Sequence, residues 1–172
     1  MTLQQASALI AFEQNSSAPQ LWLDLGAGSG LFTLALAQYL PATSKIVAVD
    51  KDAAALKQIP SFANDVSIEI RVADFFTGTL NVKSADGVLM ANALHYVKDK
   101  SSFLQKLAAL LNRNASFLLV EYNRAKANPW VPYPLTIDAA KALFSHAGYT
   151  NFKLLNTMPS SYGGEMFAAL IR

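Results

Sequence analysis

The sequence predicts an α/β fold: a seven-stranded, mostly parallel sheet that ends in a C-terminal antiparallel hairpin. Three observations carry this. A short apolar run, Leu21-Trp22-Leu23, ends in Asp24, breaks into Gly26, Gly28 and Gly30, and passes at once into the helical pattern GLFTLALAQYL. Further apolar runs then alternate with helix-forming stretches, as they do in chains that build a parallel sheet. The last two strand patterns are separated only by Asn156 to Gly164, too short for a helical crossover, so they pair antiparallel.

Residues 2–15 place Leu3, Ala6, Leu9, Ile10 and Phe12 at the spacing of an amphipathic helix. Asn15 to Pro19 is a loop into the first strand. The helix after the glycine turn spans about Gly30 to Leu40, with Ser29 as its N-cap and Pro41 beyond its end. Lys45 to Asp50 is a second strand. Asp52 caps a short helix to Ile59, stopped by Pro60. Val66 to Val72 alternates as a third strand, with Asp74 just after it. Phe75 to Ala85 is too short a connection for a full helix. Asp86 to Ala91 is the fourth strand, and Asn92 to Val97 is the crossover that follows. Ser102 and Gln105 form a capping box for a helix to about Leu111. Ala115 to Glu121 is the fifth strand, and Asn123 to Leu135 is a loop holding three prolines. Thr136 caps a helix to Ala147, with Gly148 as its stop. Asn151 to Leu155 and Glu165 to Ile171 complete the hairpin.

A chain of 172 residues suits one domain, residues 1–172, with a core of useful size. Its hydrophobic share of 52% favours a sheet covered on both faces. A net charge of +2, with no cluster of Lys and Arg, leaves no electrostatic footprint for nucleic acid. The lack of cysteine excludes disulfides, thiolate metal ligands and cysteine nucleophiles. Two histidines argue against a histidine metal site. The start, Met1-Thr2-Leu3-Gln4-Gln5, lacks the features of a signal peptide, and no uncharged apolar run reaches membrane-spanning length. A cytoplasmic protein without a membrane segment is the expectation.

The spacing of the glycines points to the ligand. A dinucleotide-binding turn wants G-x-G-x-x-G, its third glycine allowing close helix–strand packing. Leu31 occupies that third position here. The pattern is instead acid-x-G-x-G-x-G, from Asp24 to Gly30. It resembles the first motif of the class I S-adenosylmethionine-dependent methyltransferases, and the order of elements resembles their Rossmann-like fold over essentially the whole chain. The resemblance implies a sheet order of 3-2-1-4-5-7-6 and S-adenosylmethionine as cofactor. Asp50, twenty residues beyond Gly30, is expected to offer two acceptor oxygens to the two ribose hydroxyls, with a solvated strand-end carboxylate as the alternative. By the same resemblance Asp74 accepts from the adenine amino group and the Phe75 N–H faces an adenine ring nitrogen. The alternatives are a turn-stabilising acid and ordinary core or wall phenylalanines at 75 and 76. Asp24 is expected to orient the glycine loop and the methionine end of the cofactor, or to act only as a turn acid. Asn92 stands where the transferable methyl should meet the acceptor.

The family's amino-methylating nucleic-acid enzymes carry a D/N/S-P-P-Y/F motif after the fourth strand. This chain has Ala91-Asn92-Ala93-Leu94, similar to the small-molecule methyltransferases. A small-molecule acceptor is therefore expected. A protein or RNA acceptor, and a non-catalytic cofactor-binding module, are the alternatives. His95 is the one group of intermediate pKa in the crossover. It is a candidate general base, with a packing and loop-capping histidine as the competing reading. Tyr96, Tyr122, Trp130 and Tyr133 are candidate walls for the acceptor. The loop Asn123 to Leu135 acts either as a lid or as a hydrophobic plug, and Tyr162 with Gly163 and Gly164 could close the same opening. Methyl transfer from a sulfonium requires positioning and exclusion of water rather than a metal or an acid–base dyad.

Overall fold

Eight strands form one sheet in the computed structural model, which describes residues 1–14, 16–160 and 163–172. Asn15 of the first loop and Tyr162 of the final hairpin therefore lie outside the described residues. The strands are β1 (Leu21–Leu25), β2 (Lys45–Asp50), β3 (Phe62–Ala63), β4 (Val66–Val72), β5 (Ala85–Ala91), β6 (Leu111–Tyr122), β7 (Phe152–Pro159) and β8 (Glu165–Ile171). Their order is β3-β4-β2-β1-β5-β6-β8-β7. Without β3 this is the expected seven-strand order, parallel except at the β6-β8-β7 end. The additional strand, β3, is a two-residue edge. Asn64 and Asp65 take left-handed backbone, at φ 48 and 59, and fold Phe62–Ala63 back onto Val66–Ser67. Asn and Asp tolerate that region better than other side chains do.

The helices depart from expectation at their ends. In α1 (Leu3–Leu9), Thr2 and Gln5 form a reciprocal capping box. The helix stops well short of residue 15, and Phe12 packs against Trp22 and Tyr39 beyond it. α2 (Leu31–Ala37) begins at Gly30 rather than at a Ser29 cap, with φ 86 and no capping side chain. Asp52 caps α3 (Ala53–Leu56) as expected, but α3 is a single turn. In α4 (Lys100–Ala108) the cap is Asp99, not Ser102. The Asp99 carboxylate accepts from both the N–H and the hydroxyl of Ser102, at 3.0 and 2.7 Å. A charged acceptor upstream makes Ser102 the donor. α5 (Ile137–His146) starts at the predicted Thr136 cap.

The sheet buries apolar side chains on both faces. Phe103 of α4 and Phe144 of α5 join Phe117 and Phe167 on one side. Leu9 and Leu36, of α1 and α2, join Trp22, Ile46 and Leu89 on the other. Each such side chain, fully buried, contributes about 1.5–3 kcal/mol. The connection from β4 to β5 contains no helix, as its length predicted. Leu80 and Val82 from that connection enter the same core as Phe103 and Leu107. The Arg71 guanidinium holds it by donating to the Leu80 carbonyl. The parallel strands β1, β2, β4 and β5 thus end at one edge, with loops on it.

Candidate active site

The glycine turn is built against the end of β2. The N–H groups of Gly26 and Ala27 both donate to the Val49 carbonyl, at 2.9 and 3.1 Å. Gly26, Gly28 and Gly30 all have positive φ, yet they face different neighbours. A Cβ on Gly26 would stand 2.7 Å from the Ala93 Cβ, and one on Gly30 would stand 2.6 Å from Ile59. These two let the turn close onto the protein. A Cβ on Gly28, at φ 53, would meet nothing within 4 Å. Gly28 therefore turns its open side outward.

Asp50 ties the turn to β2. Its Oδ2 accepts from the Gly28 N–H at 2.8 Å, and its Oδ1 accepts from the Asp52 N–H at 2.9 Å. A carboxylate has about four acceptor sites, so both oxygens retain capacity.

Asp24 is only 1% exposed. Thr33, in the first turn of α2, donates its hydroxyl to Asp24 Oδ2 at 2.5 Å, while Asp24 Oδ1 has no partner. Burial pushes this carboxyl up to about 7, with the Asp50 charge adding and the Thr33 hydrogen bond opposing.

Across the turn, Asn92 follows β5 with left-handed backbone at φ 53, its N–H donating to the Val120 carbonyl at 2.8 Å. Its side-chain Oδ1 is buried and unpartnered. A cleft of about 540 Å³ opens here, lined by Gly26, Asp50, Asp74, Phe75, Asn92 and Tyr96 among others. Asp74 is exposed, and its Oδ1 accepts from the N–H groups of Phe76 and Thr77 at 2.8 and 3.3 Å. It stabilises its own turn and lines the cleft at once. The Phe75 ring packs edge-on against Phe103 of α4, centroids 5.8 Å apart.

The acceptor-side candidates are more dispersed. His95 is 2% exposed, and its Nδ1 lies 2.7 Å from Oε2 of the fully buried Glu121. The His95 N–H donates to Glu121 Oε1 at 3.0 Å, and its carbonyl accepts from the Tyr133 N–H at 3.0 Å. His95 is absent from the cleft lining. This is the geometry of the packing and capping histidine. Tyr96, beside it, is 57% exposed at the cleft. Tyr122 lines a separate groove with Arg124 and Lys126. Trp130 is 75% exposed, so it plugs no core. It stands on a turn in which Asn128 Oδ1 accepts from the Trp130 and Val131 N–H groups.

Two residues that bear on the site escaped the sequence reading. Lys100 donates its ammonium to the carbonyls of Val97 and Tyr133, both at 2.8 Å, and lies 5.5 Å from the centroid of the Tyr133 ring. It moors the proline loop to the crossover. Burial lowers its pKa, opposed by the charge of Glu121. A lysine in a first helical turn carries no signal of this. Thr33 did carry one, as a hydroxyl within the apolar pattern LFTLALA. Among the described residues no three His, Asp or Glu side chains could hold a metal ion, and no helix is long and apolar enough to cross a membrane.

A methyltransferase domain model matches residues 23–119, more than half of the chain. The chain belongs to the methyltransferase domain family. An uncharacterized methyltransferase of Mycobacterium tuberculosis is 30% identical over 103 residues, which are 60% of this chain and 51% of the relative. The chain thus spans about half the length of the curated relatives it matches. A SAM-dependent methyltransferase of Leishmania major superposes with a TM-score of 0.74 at 17% identity, covering 98% of this chain and 70% of that one. The DhpI-SAM-HEP complex gives 0.72 at 16% identity, covering 98% and 85%. Magnesium protoporphyrin IX methyltransferase of Synechocystis PCC 6803, with bound SAM, gives 0.64 at 15%, covering 98% and 78%. These likenesses establish the fold. S-adenosylmethionine is the cofactor of this methyltransferase family, and the site fits it. Asn92 Oδ1, on the cleft, is a buried acceptor without a donor, and the cofactor's ammonium brings donors.

Proposed function

We propose that this chain transfers a methyl group from S-adenosylmethionine to a small-molecule acceptor. The observation that carries the proposal is the convergence of Asp50, Asp74, Phe75, Asn92 and Tyr96 on one cleft at the carboxyl edge of the parallel strands. When bound, S-adenosylmethionine supplies a methyl already activated by its cationic sulfur. Asp50 holds the ribose hydroxyls with the acceptor sites that Gly28 and Asp52 leave free. Asp74 offers the adenine amino group the oxygen its turn does not use, and the Phe75 N–H faces a ring nitrogen. Asn92 Oδ1 accepts from the ammonium end, and Asp24 supports the turn from beneath. The outward side of Gly28 lets the backbone approach the ligand.

The acceptor side works by placement. Tyr96 at the mouth, with Tyr133 and Trp130 of the proline loop beyond it, forms walls that hold an acceptor in line and shed water, while Tyr122 faces its separate groove. His95 acts as a positioning group here, fixed by Glu121 and holding the proline loop through its carbonyl. Proteins that share the fold support the acceptor class: they include a mitomycin 7-O-methyltransferase and a magnesium protoporphyrin IX methyltransferase. Calorimetry with S-adenosylmethionine tests the cofactor site. Asp50→Ala should weaken binding by at least about tenfold, since charged hydrogen bonds contribute about 1.5–3 kcal/mol each. Unchanged affinity in the folded variant would remove Asp50 from the site. Methyl transfer to panels of small molecules, RNA and proteins then assigns the acceptor, and turnover of a macromolecule alone would refute the small-molecule reading.

A further inference from the structure

The structure assigns a second binding site, for a small sugar phosphate, to the cavity at the opposite edge of the sheet, which Arg113 and Arg172 both line. This cavity measures about 540 Å³, and Gln20, Trp22, Asn112 and Asn114 line it with the two arginines. It shares no lining residue with the cofactor cleft.

A detour in β6 builds it. Pairing with β5 runs Ala85↔Leu111 and then Gly87↔Ser116, so residues 112–115 loop out opposite Asp86 alone. Bulges of this kind re-aim side chains and concentrate near functional sites. The detour is pinned at its base, where Asn112 Nδ2 donates to Asp86 Oδ1 at 2.6 Å. Arg172, beyond the end of β8, donates from Nε to the Ser116 hydroxyl at 3.0 Å. The two cations are thereby brought to one cavity.

The charges on these arginines are not consumed within the fold. Among the described residues neither guanidinium lies within ion-pair distance of a carboxylate. Asp86, the acid that lines the cavity, has both oxygens engaged by neutral donors, Asn112 Nδ2 and the Leu21 N–H at 2.8 Å. Two planar guanidinium forks suit an oxyanion with several acceptor oxygens, and their two positive charges outnumber the one carboxylate on the lining, Asp86. The amides of Asn112, Asn114 and Gln20 suit hydroxyl groups beside that phosphate. A nucleic acid fits poorly, because the chain carries a net charge of only +2 and the basic residues on the cavity lining are Arg113 and Arg172 alone.

Calorimetry with ribose 5-phosphate, at about physiological ionic strength so that weak surface attraction is screened, tests the assignment. Parallel arms use ribose and inorganic phosphate. Saturable binding of ribose 5-phosphate is expected, tighter than that of either fragment. Arg113→Gln, an exposed change on the bulge, should weaken it by at least about tenfold while leaving the affinity for S-adenosylmethionine unchanged. On the unmutated protein, amide resonances of residues 112–116 should shift on titration and those of residues 26–30 should not, a readout that needs no variant. The proposal is overturned by any of four results: no saturation up to about 10 mM, unchanged affinity in Arg113→Gln, inorganic phosphate binding as tightly as ribose 5-phosphate, or shifts centred on the glycine turn.

Discussion

Asp24→Asn should make the ligand-free protein more stable than wild type above neutral pH. The Asp24 carboxyl is buried and raised from 3.8 to about 7. A raised carboxyl favours its neutral form in the folded state. Stability from this group is therefore complete below the unfolded value and is lost as the pH rises through the folded one. A shift of about three units, at about 1.4 kcal/mol each, gives a full range of about 4 kcal/mol. Between about pH 5 and about pH 8 the loss is about 2–3 kcal/mol. Asparagine keeps an acceptor for the Thr33 hydroxyl and carries no charge to desolvate. Urea unfolding of both proteins at several pH values measures this directly. The difference in unfolding free energy between variant and wild type should grow by about 2–3 kcal/mol across that window. A difference that does not change with pH would refute the reasoning, because the buried carboxyl would then ionise as freely in the fold as in the open chain.

Gly28→Val places a branched side chain on the outward face of the turn at a left-handed φ, which costs about 1–2 kcal/mol of backbone strain. The variant should fold, since nothing lies within 4 Å of the new Cβ, and should lose S-adenosylmethionine binding by calorimetry. Wild-type affinity would show that the ligand does not pass there. Trp130→Ala should change stability by no more than about 0.5 kcal/mol, because the residue is 75% exposed. Cofactor affinity should hold while turnover of an identified acceptor falls; intact turnover would take Trp130 out of the acceptor wall.

The sheet was legible because each strand is an apolar run with its own boundary signals, and the terminal pair was too closely spaced for anything but a hairpin. β3 was not, since two residues make no pattern and their pairing depends on the left-handed turn at Asn64 and Asp65. The end of α1 was misplaced because Phe12 fits the helical stripe, yet in the fold its ring packs on Trp22 and Tyr39. On the side proposed for the cofactor, position along the chain brings Asp50, Asp74 and Asn92 to one cleft: Asp50 ends β2, Asp74 and Asn92 come after β4 and β5, and parallel strands end together. The acceptor side lacked such a rule. The His95–Glu121 contact joins residues 26 apart in sequence, through the register of β5 with β6. Lys100 reads as a surface lysine until the loop is folded beneath its ammonium.

The mooring of the proline loop separates where the proposed acceptor wall stands from what it is made of. Two of its attachments use the main chain of Tyr133, its N–H to His95 and its carbonyl to Lys100. Both are main-chain hydrogen bonds that any residue but proline can make at position 133, the Tyr133 ring adding only its approach to the Lys100 ammonium. The loop is in this sense a mount with interchangeable fittings. Exchanging the residues at 130 and 133 changes the chemistry shown to an incoming molecule while the mount stays fixed. Exchanging Lys100 does the reverse, leaving the fittings unchanged on a frame that has lost its fastening.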